Sequence, residues 1–476
     1  MTVDIRWRSV FAFVIATCLV ISPFLMVPLV SGAAVYDNQR LIEIFGGILA
    51  LAVISCHLMS GTPIPLLFSR PIAILLVLFF SLGFISSATA YSPRHAFFDW
   101  ANLLLLLGIA WLIAWEVSIR KDVLLDKLLM VCGLAAALYL LMTIFIYILV
   151  LKAGIQPSPS QLIVGYNNYR FFNHVQTISL PLLGLLAARM HDRGRRIFWW
   201  MITALWWMLL FVGFGRGTLM GLTVAIAIVW YTMPKVAGAW CRSMALAGVA
   251  GLIAYLFFYW AIPLLQGMEP FGLLFSSLSR TVESPTSGRL LLWARAVEMM
   301  LADPWLGGGP AHFAHYGRDI PYGAHPHSWV LQIGSEWGIP ALLLLSGALA
   351  LAMLRLWQLR KIISAANQDT LTAWLVAGAA ISVDGFVSGL IVIPTSQLWI
   401  ALYVGCAWGW TRSLSPAVKT IDRKRSAGVR IMAIMAAFLM TYPLVHLTWH
   451  ELRDIQSNPY SKEVTYRPRI FLDGDF

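Results

Sequence analysis

Charged residues are scarce in this sequence. Lys, Arg, Asp and Glu make up 12% of the 476 residues, whereas hydrophobic residues make up 59%. A soluble domain usually carries about 25% charged residues, so a soluble globular protein is excluded. The apolar runs repeatedly reach about 18 residues or more, which is long enough for a helix to cross the hydrocarbon core of a bilayer. The composition therefore predicts an integral membrane protein with many helical spans.

The short motifs of several common enzyme classes are also missing. There is no P-loop and no glycine fingerprint for a dinucleotide after a strand. The predicted loop 31–40 contains a single acidic residue, Asp37, and so no paired acidic motif for a divalent ion. The five cysteines fall in or at the ends of apolar runs, which argues against a disulfide framework and a zinc site. We predict no cofactor and no bound metal.

The net charge of +12 reflects topology rather than nucleic-acid binding. Basic residues concentrate in alternate short loops, as the positive-inside rule expects of cytoplasmic segments. These loops contain Arg6, Arg120, Arg193, Lys235, Arg355 and Lys419. With the N-terminus inside, the stretches 152–172 and 266–327 fall on the outer face. The first apolar run has no clear cleavage site, so we expect it to be retained as a span.

Hydropathy predicts about 12 or 13 spans. Their predicted bounds are 9–30, 41–59, 71–90, 97–116, 128–151, 173–190, 197–214, 218–233, 244–265, 328–354, 371–393, 396–411 and 430–449. Four segments follow: an N-terminal transmembrane bundle (1–265), a long polar loop (266–327), C-terminal transmembrane helices (328–450) and a polar tail (451–476). With thirteen spans the tail is external. The predicted fold class is an all-α, polytopic membrane protein.

The loop 266–327 is the one long polar interruption between apolar spans, and it is predicted to contain a helix. Thr286 or Ser287 can cap this helix, which runs from about 288 to 302. The apolar stripe predicted for it consists of Leu290, Ala294, Val297 and Leu301. The helix is too short and too amphipathic to span, so we expect it to lie on the bundle as an interfacial helix or lid.

Three arginines at the outer face are candidate anion ligands. Arg216 lies between Gly215 and Gly217, where the backbone can turn sharply between two spans. It could clamp a phosphate, or it could be an interfacial arginine that reaches lipid phosphate. Arg289, in the first turn of the predicted loop helix, could be a second cation for a diphosphate or a simple surface residue. Arg170 is a weaker third candidate.

Histidines near the end of the loop are candidates for proton transfer. His327 precedes Ser328, a plausible N-cap of the next helix, and histidine suits proton transfer near neutral pH. The alternative is a polar residue that only ends a helix at the headgroups. His325 and His327 could also bind a metal, although no nearby Cys, Asp or Glu completes a ligand set. Glu336 and Asp384 could form a proton pathway, or they could be buried partners of helix ends or arginines.

Taken together, these residues resemble a known family. They are Ser287-Gly288-Arg289, Trp293, Pro304 to Gly309, Phe313, Pro326 to Gln332 and Glu336-Trp337-Gly338. Together they resemble the C-terminal signature of the O-antigen ligase/O-antigen polymerase family. Phe214 to Gly217 is similar to the family's Ser-Arg-Gly element. Gly215 stands where Ser is common, and Ser328 stands where Asn is usual.

The resemblance implies a GT-C-type glycosyltransferase in the inner membrane of a Gram-negative bacterium, with a long periplasmic loop. Such enzymes transfer a glycan from undecaprenyl diphosphate to a hydroxyl, without nucleotide sugar or metal. In the ligase branch the acceptor is lipid A–core and the product is lipopolysaccharide. The expected catalytic residues are Arg216, Arg289 and His327. The weaker substrate-binding candidates are Arg170, His174, Trp293, His325 and Glu336. We expect a monomer among membrane lipids that transfers with inversion.

Two other kinds of function stay open at this point. An O-antigen polymerase or a protein O-oligosaccharyltransferase would use the same donor and differ only in the acceptor, about which the sequence says little. A short C-terminal tail favours the ligase over the protein-modifying branch. A transporter of lipid-linked glycans should carry charge at mid-membrane on many helices, whereas the cations here gather at one face and in one loop.

Overall fold

The apolar runs form helices, because backbone N–H and C=O groups inside a bilayer must find their hydrogen-bond partners within the segment. The computed structural model describes residues 10–59, 64–65, 67–270, 288–321, 323–414, 420–421, 427–457 and 469–472. The longer helices are Val10–Ile21, Val35–Met59, Arg70–Thr89, Pro93–Lys152, Tyr169–Arg189, Arg193–Gly213, Arg216–Thr232, Pro234–Leu256, Arg289–Ala302, Trp329–Trp337, Ile339–Gln358, Gln368–Gly385, Pro394–Ser413 and Ala427–Ser457.

Short elements complete the described chain. They are the helical turns Ser22–Phe24, Pro159–Leu162, Phe257–Ala261, Ile262–Leu265, Phe313–Tyr316, Leu359–Lys361 and Ala365–Asn367. Two strands of two residues each, Ile64–Pro65 and Thr420–Ile421, pair antiparallel, with Ile64 opposite Ile421. Helices therefore make up nearly all of the regular structure in these ranges.

Seven helices among the described residues are long and apolar enough to cross a membrane. They are Val35–Met59, Arg70–Thr89, Pro93–Lys152, Tyr169–Arg189, Arg193–Gly213, Pro234–Leu265 and Ile339–Lys361. The 60-residue helix Pro93–Lys152 leaves helical geometry at Lys121 (φ 51°, ψ −134°), in the basic stretch predicted to separate two spans. The prediction of an all-α, polytopic membrane protein is confirmed. The number of 12 or 13 spans stays a prediction.

Packing divides the chain into two compact units. The first unit consists of the described residues within Met1–Leu125, Arg289–Ala352 and Ile391–Phe476. The second unit consists of those within Asp126–Gly288 and Met353–Leu390. Because this division follows packing and not topology, the four topological segments proposed from the sequence stay predictions.

The first unit has aromatic packing around Trp337. This side chain is fully buried and stacks on Phe79, with ring centroids 4.6 Å apart. A Cβ atom at Gly83 would lie 1.9 Å from the Trp337 ring, so only glycine fits there. A second cluster joins Phe98 to Phe471, a residue far along the chain. The first unit is thus assembled from segments that are distant in sequence.

Five helices of the second unit are in close contact with one another. They are Tyr169–Arg189, Arg193–Gly213, Arg216–Thr232, Pro234–Leu256 and Gln368–Gly385. Glycines at the contacts let the backbones approach. A Cβ at Gly221 would lie 2.8 Å from the carbonyl oxygen of Ala380, and one at Gly251 would lie 2.5 Å from that of Ala204.

The predicted start of the second span was wrong. The helix begins at Val35, not at 41, and its first turns bury Arg40 and Glu43. The hydropathy prediction placed Arg40 in the preceding loop and Glu43 just inside the span. In the structure the two side chains form an ion pair of 2.6 Å, and Asn102 donates to Glu43 over 2.8 Å, so their charges are compensated inside the protein.

The loop helix (Arg289–Ala302) ends at the predicted residue, but the predicted apolar stripe is not the face that packs against the rest of the unit. Leu290, Val297 and Leu301 are 60%, 44% and 75% exposed at the protein surface, and Ala294 is exposed too. The buried side chains are Leu292, Ala296 and Met299, which pack with Phe313. The predicted and the observed sets of residues both have helical spacing. The contact with Phe313 determines which set is buried. The proposed caps Thr286 and Ser287 lie outside the described residues.

The predicted span 328–354 is two helices. Trp329–Trp337, called the Glu336 helix below, ends at Gly338, whose φ of 88° favours glycine. A Cβ there would lie 2.2 Å from the carbonyl oxygen of Trp305. The next helix begins at Ile339, whose N–H donates to the carbonyl of Pro304 over 2.9 Å. The polar loop therefore packs into the break between the two helices.

Candidate active site

The glycine run of the polar loop closes the C-terminal end of the Glu336 helix. The N–H of Gly308 donates to the carbonyl of Ser335 over 2.8 Å, and that of Gly309 donates to the carbonyl of Glu336 over 2.9 Å. Gly307 has φ 67°, and a Cβ there would lie 2.6 Å from the Glu336 backbone. Carbonyls that a helix leaves unpaired at its end are thereby satisfied by the loop.

The carboxylate of Glu336 is fully buried and fixes the loop from its other side. One oxygen accepts from the N–H of Phe313 over 3.1 Å. The other accepts from the guanidinium of Arg469 over 2.6 Å. The same guanidinium lies 3.3 Å from Asp99. Of the two roles considered for Glu336, the contacts support that of a buried partner of an arginine.

His327 lies in the turn that starts the Glu336 helix. Its backbone has φ 53°, in the left-handed region that residues other than glycine adopt only when their surroundings hold them there. The N–H of His327 donates to Nδ1 of His325 over 3.3 Å, and the two rings lie 4.0 Å apart. Ser328 occupies the N-cap position, as predicted, without a side-chain capping bond. The turn presents a half-buried imidazole beside a buried one.

The loop helix connects Arg289 to this turn. Trp293 donates from its indole nitrogen to the carbonyl of Pro326 over 3.1 Å, directly before His327. Arg289 is half-buried and lies four residues before Trp293, so both occupy one face of the helix. In the first unit, four of the predicted site residues, Arg289, Trp293, His325 and His327, therefore belong to one connected arrangement.

His312 is a neutral structural residue of the same loop. Its Nε2 accepts from the N–H of Ser92 over 2.8 Å, and its Nδ1 lies 2.8 Å from the carbonyl oxygen of Pro310. Only the neutral ring with a proton on Nδ1 satisfies both contacts. Burial lowers the pKa of His312 to about 4, opposed by the Pro310 carbonyl and reinforced by nearby positive charge. His312 is thus a poor candidate for an acid–base role.

Arg216 lies in a tight turn of the second unit. Phe214 adopts φ 39° at the end of one helix, and Arg216 is the first residue of the next. A Cβ at Gly215 would lie 2.6 Å from Asn173, and one at Gly217 would lie 2.4 Å from the Asp384 carboxylate. The two glycines are therefore needed both for the turn and for this close packing.

Asp384 is buried beneath the Arg216 turn. Its carboxylate accepts from the hydroxyl of Thr177 over 2.5 Å, and the hydroxyl of Thr218, in the first turn after Arg216, lies 3.1 Å away. His174 lies 3.7 Å from the same carboxylate. One turn earlier on the His174 helix, Arg170 is exposed. Asp384 thus holds a helix end, which is one of the two roles considered for it.

Two charged residues near the site, Asp99 and Arg469, were not anticipated from the sequence. Asp99 was assigned to the interior of a span and Arg469 to the polar tail. The apolar triplet Ile470-Phe471-Leu472 inside that tail is the signal that could have indicated burial. In the part of the chain that the structure describes, no group of three or more His, Cys, Asp or Glu side chains is placed to hold a metal ion.

The structure and the comparisons define the class of protein. The helical bundle is that of a multi-pass membrane protein, and its polar loop is organised around a histidine and an arginine. Residues 201–346 match the family model described as O-antigen ligase, so this part of the chain is similar to members of that family. The match includes the Arg216 turn, the loop helix and the Glu336 helix. A comparison with curated proteins found no match.

Proposed function

We propose that the protein is an O-antigen ligase that transfers a glycan from undecaprenyl diphosphate to a sugar hydroxyl of lipid A–core. The family points to an O-antigen ligase or polymerase type of function in a membrane glycosyltransferase. The observation that carries the proposal further is the His327 turn: the backbone of His327 has φ 53°, and Trp293, on the same helix face as Arg289, donates to the carbonyl directly before it. The site would face the periplasm of a Gram-negative bacterium.

His327 acts as the general base in this proposal. The acceptor hydroxyl oxygen attacks the anomeric carbon and a new glycosidic bond forms, while the bond from that carbon to the diphosphate oxygen breaks. Its electron pair leaves with undecaprenyl diphosphate, and the hydroxyl proton moves to His327. Direct attack inverts the anomeric centre. A positioned base of this kind contributes about 10² to 10⁴ in rate.

Arg289 and Arg216 bind the diphosphate in this proposal. A charge-assisted hydrogen bond contributes about 1.5–3 kcal/mol, and the leaving diphosphate gains charge as its bond breaks. Arg289 lies in the first turn of the loop helix, where free backbone N–H groups also favour an anion. Arg216 belongs to the second unit, and its part in the same reaction is a prediction from the sequence.

The weaker candidates take supporting roles. Trp293 and His325 stabilise the His327 turn through the contacts described above. Arg170 and His174 are proposed to bind the donor or the acceptor from the second unit. Glu336 was proposed with them, and we assign it a supporting role because its carboxylate is buried and paired with Arg469.

Glycan transfer by the purified protein tests the proposal. The protein is given glycan linked to undecaprenyl diphosphate and lipid A–core, in EDTA, and the product is read as a gel shift. A shifted lipid A–core band is the expected result. Longer glycans on undecaprenyl diphosphate without a shift would identify a polymerase. Transfer to protein hydroxyls would identify an oligosaccharyltransferase, and movement of labelled lipid across vesicles without transfer would identify a transporter.

Variants then test the roles. His327→Ala should lower kcat at least about 100-fold. The matched control is His315→Ala, because His315 lies in the same loop and stacks on Tyr91, with ring centroids 4.1 Å apart. Wild-type turnover in His327→Ala rules out the general base. Arg289→Lys should weaken donor binding about tenfold, since lysine lacks the two-pronged guanidinium contact.

A further inference from the structure

A short segment of the chain, Arg469–Leu472, is buried in the first unit. The four residues are 3%, 6%, 1% and 2% exposed in order. We call them the Arg469 segment. Phe471 packs with Phe98 and Leu444, and Ile470 lies in the same cluster. This burial is unusual for an arginine, which is rarely fully buried unless it is paired.

The helix Val35–Met59 holds the backbone of this segment with side chains from its first turns. Tyr36 donates from its hydroxyl to the carbonyl of Arg469 over 2.7 Å. Arg40 donates from Nε to the carbonyl of Ile470, also over 2.7 Å. Asp37 accepts from the N–H of Leu472 over 2.8 Å. Three of the four residues of the segment are therefore bound through their main chain, which fixes the Arg469 side chain in place.

The guanidinium of Arg469 is directed at two carboxylates. It lies 2.6 Å from Glu336 and 3.3 Å from Asp99. The side-chain amide of Gln332, one turn before Glu336, faces the same guanidinium, and its oxygen can accept from Arg469 when the amide is turned by 180°. A planar fork of donors suits such a set of acceptors, whereas a lysine could not serve them together. Arg469 thus binds one face of the Glu336 helix.

A continuous set of contacts leads from Arg469 to the His327 turn. Glu336, held by Arg469, accepts from the N–H of Phe313, and its backbone carbonyl accepts from Gly309. The helix that carries Glu336 begins directly after His327 and Ser328. A shift of this helix would therefore move the imidazole, and a displacement of about 1 Å can cost about 100-fold in rate.

We propose that Arg469 is a positioning residue for glycan transfer. Held by the helix Val35–Met59, it fixes the Glu336 helix and through it the His327 turn. The proposal rests on the proposed function, because it needs His327 to act in the reaction. Arg469 itself is buried behind the helix and touches neither donor nor acceptor. Its loss should therefore lower kcat and leave the KM for the donor nearly unchanged.

The test compares Arg469→Gln and Arg469→Lys with the wild type in the full-length protein. Two quantities are measured: the rate of transfer, as kcat and KM, and hydrogen exchange at the amides of Gly309 and Phe313. Arg469→Gln should lower kcat at least tenfold with KM within twofold, and amide exchange should be at least tenfold faster. Arg469→Lys keeps the charge and should lie between the two. The exposed Arg453, on the preceding helix, provides the matched control Arg453→Gln, which should behave as wild type.

Two further measurements distinguish a variant that fails to fold from one that folds but displaces the His327 turn. Size-exclusion profiles and thermal unfolding give the folded fraction, to which kcat is normalised. If Arg469→Gln does not fold, Arg469→Lys decides, and wild-type kcat and exchange in that variant overturn the proposal. The double variant Glu336→Gln, Arg469→Gln removes both charges of the pair. Full wild-type kcat in this folded variant would show that the pair serves stability only.

The two proposals can fail separately. If the wild type transfers no glycan, the proposed function fails, and hydrogen exchange still shows whether Arg469 fixes the loop. If the wild type is active and Arg469→Gln has wild-type kcat and exchange, the proposed function stands and the positioning role of Arg469 is overturned.

Discussion

Two buried carboxylates, Asp384 in the second unit and Glu336 in the first, support two turns with different side-chain chemistry. Asp384 lies beneath the turn of Arg216, and Glu336 lies on the helix that begins after His327. A glycine allows close approach near each carboxylate: Gly217 of the Arg216 turn lies against Asp384, and Gly307 of the polar loop lies against the backbone of Glu336. In each unit a buried acidic side chain thus lies in or next to an element that carries a candidate residue: Asp384 packs beneath the Arg216 turn, and Glu336 lies on the helix that begins after His327.

The two carboxylates differ in what compensates their charge. Asp384 is contacted by the neutral hydroxyls of Thr177 and Thr218, with His174 further away at 3.7 Å. Glu336 is contacted by the permanent cation Arg469. Removing one partner of a buried ion pair leaves an uncompensated charge, whereas removing one of several hydroxyl donors leaves the others. The folding stability of the first unit should therefore depend strongly on the single residue Arg469. The stability of the second unit should depend less on any one of the residues that contact Asp384.

The largest effect is expected from Arg469→Met. This change keeps an apolar side chain of similar length and leaves Glu336 buried without its cation. The expected cost is about 3–5 kcal/mol of folding free energy. Unfolding of the detergent-solubilised protein, followed by temperature or by denaturant, measures it. A cost below about 1 kcal/mol would contradict the dependence on one partner.

A smaller effect is expected from Thr177→Val, which removes one hydroxyl donor to Asp384 while keeping the shape of the side chain. The expected cost is about 1–3 kcal/mol, since one hydrogen bond to a buried charged group is lost and Thr218 stays. The same unfolding measurement applies. Thr372→Val is the matched control, because its hydroxyl donates only to a backbone carbonyl within its own helix. A loss as large as that in Arg469→Met would remove the difference between the two units.

The loop near Glu336 should also respond to pH through His312. Its pKa of about 4 in the folded protein lies below the ordinary value of 6.5, so the unfolded chain binds more protons between these values. Stability is then fully present above about pH 6.5 and falls as the pH decreases toward 4. The expected loss between pH 7 and pH 5 is about 1–2 kcal/mol. A thermal unfolding series against pH checks it, and His312→Gln should reduce the slope.

The smallest effect is expected at an exposed ion pair. Arg295 contacts Asp319 over 3.0 Å on the loop helix, and both side chains are partly exposed to solvent. Asp319→Asn should cost less than about 1 kcal/mol, because water and salt screen the pair. Asp319 is thus a third carboxylate to compare with Asp384 and Glu336. Its charge is solvated by water and therefore depends little on a partner side chain. A loss equal to that of Arg469→Met would mean that burial is not what separates these sites.

Local sequence features predicted the helices and the position of His327. The apolar runs have the length of spans, and Pro326 before His327 and Ser328 indicates a turn at the start of a helix. Gly215 and Gly217 likewise indicated the Arg216 turn. These features depend on neighbouring residues only, and the structure agrees with them.

Contacts between distant residues could not be predicted in the same way. Arg40 was assigned to a loop because hydropathy counts a charge as exposed and does not include the effect of its partner, Glu43. Leu290 and Leu292 fit two alternative helical stripes, and only the contact with Phe313 decides which is buried. Arg469 looked like one more polar tail residue, because its partner Glu336 is 133 positions away.

The contact between Arg469 and Glu336 also has a consequence for the path of the chain through the bilayer. A chain that leaves Glu336 and returns to it must cross the membrane an even number of times in between. Four long helices lie on that path: Ile339–Gln358, Gln368–Gly385, Pro394–Ser413 and Ala427–Ser457. With one crossing for each of the four spans predicted between residues 328 and 449, the Arg469 segment is expected on the same side as the polar loop. A reporter group attached near residue 472 should therefore respond to membrane-impermeant reagents on the same side as one attached in the loop.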